Sequence, residues 1–588
     1  MSRRGVLSGL AGAAALIAVV TVVSRLLGFG RTLVFTNAVG VTTVGDAYNW
    51  ANTLPNVLFE VAAGGALAGA LIPVIAGPIA RGMREDVSRI ASAMLGWTLA
   101  GLTLIAVVLA AAAEPLAVLA RADSAAERDL IVFFVRVFAV QLPLYGLAVV
   151  LSGVLQAQRR FFWPAFAPVL SSLVVIAAYA GYGRLLGDTP DAGDGALLPP
   201  GAAALLAWGT TAGVAAMGLP LLVPVHRSGV RLRPAWRFPP GVAARARGLA
   251  LAGIGALVAQ QLAVLVTITL ARTYGGKGTL TAWQTLVQPT YLLPYAVLAV
   301  PLATSTFPRL AAAAQRDGRA GYAPLAAVTT RAVLVAGAVG AAMLAAVAPA
   351  ATTVFRLIGR GDTEVIDAVA PALTLVAPGL LGFGLVFHVS RALYALERGR
   401  LAVLAASAGW VTVVAASWTA CAVLVPGADD GGATLRALAI GNTVGMLVAG
   451  VALVLVLRSA AGRESVAGLP RTLAVVLVAG GLAAVAGRWT VDAVQALTDG
   501  IAGAVAAAAG GAALVVAVVV ALVALLDRST VTGLLRRGGQ APGTPAVGTP
   551  AAGIPAPDAA VPGTDPGPAA PPATPPAAPD RPRQEDDR

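Results

Sequence analysis

The stretch that decides the fold runs from Ser24 to Pro73 and reads SRLLGFGRTLVFTNAVGVTTVGDAYNWANTLPNVLFEVAAGGALAGALIP. It sets two arginines (Arg25, Arg31), one aspartate (Asp46), one glutamate (Glu60) and four asparagines inside otherwise hydrophobic sequence. A charged side chain in hydrocarbon costs about 2.5–3.5 kcal/mol even on lenient insertion scales, so such groups face a cavity or a partner. The stretch therefore reads as the lining of a pathway.

Composition says what the pathway crosses. Hydrophobic residues make up 58% of the 588 and charged residues 12%, against about 45–50% and about 25% in soluble domains. This is an all-α polytopic membrane protein. Its 67 glycines suit close helix packing in lipid, where small residues let backbones approach. The single cysteine, Cys421, excludes an internal disulfide and a cysteine-based metal cluster. A net charge of +13 would suggest nucleic acid in a soluble chain. Here the arginines sit in short loops between apolar spans, which is a topology signal and argues against a nucleic-acid partner.

The N-terminus has a basic start and an apolar run of about 20 residues, long enough to span and without a convincing cleavage site, so it reads as a first span and not a cleaved signal peptide. Apolar segments then recur, giving fourteen spans at 8–29, 47–78, 90–119, 130–156, 164–186, 200–225, 248–272, 280–306, 324–350, 366–394, 401–424, 433–457, 468–487 and 501–526. The loops support the count. Alternate loops are basic, from Arg81, Arg84 and Arg89 after span 2 to Arg528, Arg536 and Arg537 after span 14. The intervening ones carry acids such as Asp123, Glu127 and Asp129, Asp188, Asp191 and Asp194, or Asp429 and Asp430. The exception is Arg272 with Lys277 after span 7. Basic loops stay inside, so both termini are expected in the cytoplasm of a bacterial cell with the chain in its inner membrane.

An internal repeat is visible. Gly146-Leu147, Ser152, Leu155, Ala157 and Arg160 in span 4 match Gly384-Leu385, Ser390, Leu393, Ala395 and Arg398 in span 10, each 238 residues on. Leu67-Ala68 and Pro73 likewise match Leu302-Ala303 and Pro308, 235 residues on. Six spans per repeat keeps the orientation, so the expectation is two six-helix lobes related by a pseudo-two-fold axis along the membrane normal, plus two extra C-terminal helices. The expected division is an N-lobe at 1–225, a basic linker at 226–247, a C-lobe at 248–458, spans 13 and 14 within 459–527, and a Pro/Ala-rich tail at 528–588 that cannot bury a core and is expected to be disordered.

No enzyme site emerges from the sequence. His226 and His388 lack ligand spacing for a metal, no glycine-rich phosphate loop precedes the one lysine, Lys277, and the paired carboxylates fall in short loops. Neither a catalytic centre, a metal nor a cofactor is expected. Transport suits the buried polar groups better. Arg25 and Arg31 flank Gly28-Phe29-Gly30, where two glycines invite a break in the helix that would expose backbone donors as well. The planar guanidinium bonds phosphate bidentately, so the pair either holds a phosphate or pyrophosphate or simply snorkels to an interface. Asp46 either orients one of these arginines or caps the span near Ala47. Asn49, Asn52 and Asn56 share one helix face that Glu60 extends, as cavity lining or as hydrogen-bond glue between helices. Gln260, Gln261, Gln284, Gln288, Arg136 with Gln141, and His388 with Arg391 are further inner-surface candidates, for each of which packing is the plainer role.

The runs SRLLGFGR (Ser24–Arg31), GDAY (Gly45–Tyr48), LPN (Leu54–Asn56), GGALAGALIPV (Gly64–Val74) and RRFFWPAFAPVL (Arg159–Leu170) together resemble the MviN/MurJ family of lipid II flippases, within the multidrug, oligosaccharidyl-lipid and polysaccharide exporters. The resemblance continues in LAVPLATSTFPRLA (Leu298–Ala311) and SRALYALERGR (Ser390–Arg400) and weakens beyond residue 405. It implies moving lipid II, a polyprenyl-pyrophosphate-linked glycan and peptidoglycan precursor, from the inner to the outer leaflet by alternating access. Arg25, Arg31 and Asp46 match the family's motif. The family's basic pair after LPN is replaced by Phe59 and Glu60, an arginine of span 8 by Pro289, and an acidic residue by Gly64. Fewer cavity cations leave two alternatives open: an exporter of another polyprenyl-linked glycan, or a non-transporting scaffold that recruits cell-wall synthesis proteins through its inner loops and tail.

Overall fold

The computed structural model describes residues 3–61, 68–187, 198–238, 242–427 and 429–528. The tail beyond Arg528, the acids Asp188, Asp191 and Asp194, and Leu67 and Gly64 of the sequence comparison lie outside the described residues.

Among the described residues the chain is helical, with one isolated backbone bridge, Val41 to Gly361, in place of any sheet. A backbone crossing lipid must satisfy its own N–H and C=O groups, and a helix does so within one segment. Among the described residues eleven helices are long and apolar enough to cross a membrane, twelve when Thr363–Val376 and Gly379–Ala395, bent by 55° at their junction, count as one span. Two further helical segments stand where spans 1 and 2 were expected: Arg3–Ala38, and Thr43–Phe59 followed by Ala68–Ala80. Span 1 is one unbroken helix through Gly28 and Gly30, so the predicted break is absent. Glycine only weakens a helix by about 1 kcal/mol, and the surrounding apolar residues carry the helix through.

The repeat is present in the backbone. Span 4, Ala125–Ala157, changes helix at Val140. Span 10, Thr363–Ala395, bends at Pro378, which is 140 + 238. Each ends on a residue in left-handed conformation, Arg159 at φ 61° and Glu397 at φ 59°, again 238 apart. Small residues make the tightest helix contacts. On span 12, Gly441 and Gly445 face Ser417 and Val413 of span 11 so closely that a Cβ on either would overlap its partner. Spans 13 and 14 pack on one another and on span 9.

The two lobes are joined at one end. Val41 N–H donates to the Arg360 carbonyl at 2.8 Å and Asp362 N–H to the Val41 carbonyl at 3.1 Å. The Asn37 amide donates to the Ile358 carbonyl at 2.9 Å. Gly40 (φ 74°) and Gly361 (φ 100°) make this approach feasible, because a Cβ on Gly361 would overlap the Val41 carbonyl and one on Gly40 the Arg360 carbonyl.

Candidate functional site

Away from this seam a cavity of about 850 Å³ lies between the lobes, while Ala68–Ala80 of span 2 packs on Val242–Tyr274 of span 7. Spans 1, 2, 4, 5 and 6 supply most of its wall and span 8 the rest. Depth follows the helices. Phe35, Tyr48, Tyr179 and Thr210 sit deep, next to the seam, while Ser24, Asn56, Ala165 and Ala296 lie towards the mouth. The deep wall is tied together by hydroxyls and rings. The Tyr48 hydroxyl is 2.8 Å from that of Tyr179 and 3.0 Å from that of Thr210, and Phe35 packs on both rings.

Arg25 and Arg31 both line the cavity, and no carboxylate is among its described lining residues. Six residues apart on an unbroken helix, they are separated by about 9 Å along its axis, so two guanidinium groups address the cavity at two levels. The three asparagines divide. The Asn49 amide donates to the Gly45 carbonyl at 2.9 Å and to the Thr281 and Thr285 hydroxyls at 3.2 and 3.4 Å, and so joins the lobes at the cavity floor. Beside it, Thr53 and Gln284 bond across the lobes at 3.0 Å. Asn52 faces the cavity with its side-chain oxygen unpaired in the protein. Asn56 accepts from the Tyr145 hydroxyl at 2.9 Å. All three asparagines line the cavity, and Asn49 and Asn56 are in addition hydrogen-bonded to neighbouring helices.

Asp46 and Glu60 are corrections. Asp46 does not reach Arg25 or Arg31, and the cap is supplied by Thr42, whose hydroxyl accepts from Gly45 N–H. Asp46 lies in the first turn of the helix, fully buried at the seam, and its contacts cross to the other lobe. It accepts from Gly278 N–H, Thr281 N–H and the Thr281 hydroxyl at 2.8, 2.8 and 2.7 Å, and pairs with Arg272 at 3.2 Å. Glu60 is exposed, a turn beyond the last lining residue of its helix, where Phe59 stacks on Tyr145 at 4.6 Å.

Of the further candidates, Gln284 and Gln288 line the cavity. Gln260, Gln261, Arg136, Gln141, His388 and Arg391 do not. Gln141 bonds Thr211 at 3.3 Å, Arg136 pairs with Glu114 at 3.4 Å, Arg391 lies 3.5 Å over the Phe387 ring, and His388 is fully buried. Sequence reasoning did not single out Tyr48, Tyr145 and Tyr179. Their signal was aromatic residues carrying a hydroxyl within apolar spans.

The family model described as lipid II flippase MurJ matches residues 35–499. Among curated proteins, the lipid II flippase MurJ of Burkholderia cenocepacia is 27% identical over 391 residues, 64% of this chain and 72% of that protein. The probable lipid II flippase MurJ of Rhizobium meliloti is 28% identical over 305 residues, so the match spans 50% of this chain and only 53% of that relative's length. A solved lipid II flippase MurJ in an inward closed conformation superposes with a TM-score of 0.66 at 15% identity, covering 88% of this chain and all of that one, which shows a shared fold. With a family model spanning most of its length and a superposable architecture, this chain belongs to the MurJ family of lipid II flippases.

Proposed function

We propose that the protein carries a lipid-linked peptidoglycan precursor, lipid II, from the inner to the outer leaflet of a bacterial cell membrane by alternating access. The observation that carries this reading is an inter-lobe cavity holding Arg25 and Arg31 with no carboxylate among the described lining residues. Such a wall attracts a pyrophosphate and repels a cation. Arginine keeps its charge in an apolar setting and bonds phosphate oxygens in pairs. Asn52, Gln284, Gln288 and the tyrosine hydroxyls add neutral donors and acceptors for a glycan head group. The polyprenyl chain stays in lipid. In this reading residues 1–225 and 248–458 act as the two moving lobes, joined by the basic segment 226–247. Both termini are cytoplasmic, the cavity opens inward and the seam faces outward.

Span 8 contributes amides, not cations, to the wall. That favours, as a second reading, another polyprenyl-linked glycan of lower charge. The test is outer-leaflet lipid II in cells depleted of their own flippase and complemented with this chain. Restoration by the wild type and not by well-expressed Arg25→Ala or Arg31→Ala supports lipid II transport. Well-expressed wild type restoring nothing moves the substrate to another glycan or the role to a scaffold.

A further inference from the structure

Arg272, at the end of span 7, reaches across the seam and is 9% exposed. Its guanidinium donates to four acceptors of the other lobe: Asp46 at 3.2 Å, Glu127 at 2.8 Å, the Ala120 carbonyl at 3.0 Å and the Arg121 carbonyl at 3.1 Å. Arg121 is itself held in left-handed conformation at φ 52°, a strain that persists only where surrounding contacts impose it. Glu127 is placed from below. Ser124 caps the helix that starts at Ala125 by accepting from Glu127 N–H at 3.1 Å, and the Glu127 carboxylate accepts from Asp123 N–H at 2.8 Å. Its second oxygen is left for Arg272.

The division of labour matters. Asp46 keeps three donors from span 8 without Arg272, including two N–H groups at that helix's start. Glu127 has no other charged partner across the seam among the described residues. We propose that Arg272 is a positioning residue for transport: a latch that holds the lobes shut at this end by bridging Asp46 and Glu127, and that must leave both before the cavity opens there. A buried charge leaves its partners only when water replaces them. Opening at this end is therefore rare unless the lobes part far enough to hydrate all three groups at once. The neutral pairs at the cavity floor, Asn49 with Thr285 and Gln284 with Thr53, lie between this latch and any bound head group. The inference deepens the transport reading above and rests on it for the word transport only.

The test uses two single-cysteine probes in a Cys421→Ala background, read with a membrane-impermeant maleimide on the full chain in sealed vesicles of both orientations. Val44→Cys reports the seam, where the native residue is fully buried, and Ala165→Cys reports the cavity mouth. Arg272→Met alone strands a buried carboxylate, so Arg272→Met/Glu127→Gln is the decisive variant. It should raise Val44 labelling about tenfold or more while lowering Ala165 labelling, a shift between two closed-at-one-end states. Arg272→Lys, which keeps one charge contact, should fall between. Unchanged Val44 labelling in the folded double variant overturns the latch. So does a rise at both probes together, which is what general loosening gives. The membrane face from which Val44 labels reports orientation alone, and a protein that shows the reciprocal shift yet flips no lipid II keeps the latch and loses the substrate assignment.

Discussion

Removing one cavity arginine tests the pyrophosphate reading where its magnitude can be worked out. Arg31 lines the cavity, faces no carboxylate there, and lies between the Arg25 level and the Tyr48–Tyr179 wall. Arg31→Ala therefore removes charge-assisted hydrogen bonds without freeing an acid to compensate. Hydrogen bonds to a charged group contribute about 1.5–3 kcal/mol. At about 1.4 kcal/mol per factor of ten, that corresponds to roughly 10- to 150-fold weaker binding. Arg31→Lys keeps the charge but loses the paired geometry and should lose less. The assay is equilibrium binding of a polyprenyl-pyrophosphate-linked glycan to purified protein in lipid nanodiscs, at low salt and near 0.15 M, where the Debye length is about 8 Å. The wild type and Arg31→Lys should weaken with salt more than Arg31→Ala does. A folded Arg31→Ala protein that binds within twofold of the wild type would refute the reasoning.

Three further outcomes follow from the packing. Gly361→Ala puts a Cβ into the Val41 carbonyl at φ 100°. A left-handed alanine costs roughly 1–2 kcal/mol, so maleimide labelling at Val44 should rise about 5- to 30-fold. Gly382→Val drives a side chain into the Met446 backbone between spans 10 and 12; overpacking of this kind costs about 1–3 kcal/mol, visible as a lower midpoint in denaturant titration. Deleting residues 540–588 should leave transport intact, and loss of cell-wall synthesis with the core still active would favour the scaffold role.

How much was legible in the sequence can be followed residue by residue. The spans were, because apolar runs and alternating arginine loops are one-dimensional signals. The repeat was too, and the bend at Pro378 and the left-handed Arg159 and Glu397 fall into its register. Depth was not legible. Periodicity places Asp46, Asn49, Asn52 and Asn56 on neighbouring faces of one helix, yet it does not say which level meets the other lobe, so Asp46 looked like a partner for Arg25 or Arg31 when its partners come from spans 7 and 8. The lone break in the charge pattern, Arg272 beside Lys277 among acidic loops, was the visible trace of that contact. Arg272 does not sit in the loop but turns back onto Asp46 and Glu127. The Ser124-to-Glu127 spacing is a capping signature, and it marks where the second carboxylate is held. Gly28 and Gly30 misled in the other direction: local propensity suggests a break, but glycine weakens a helix by only about 1 kcal/mol and Arg3–Ala38 runs through both.

The most direct measurement of the central claim is translocation of lipid II by the purified protein in liposomes, read by the fraction of lipid II accessible at the far leaflet over time. The account predicts transfer well above protein-free liposomes for the wild type and transfer close to that background for Arg25→Ala/Arg31→Ala. Wild-type protein, folded and inserted, that moves lipid II no faster than empty liposomes would contradict it.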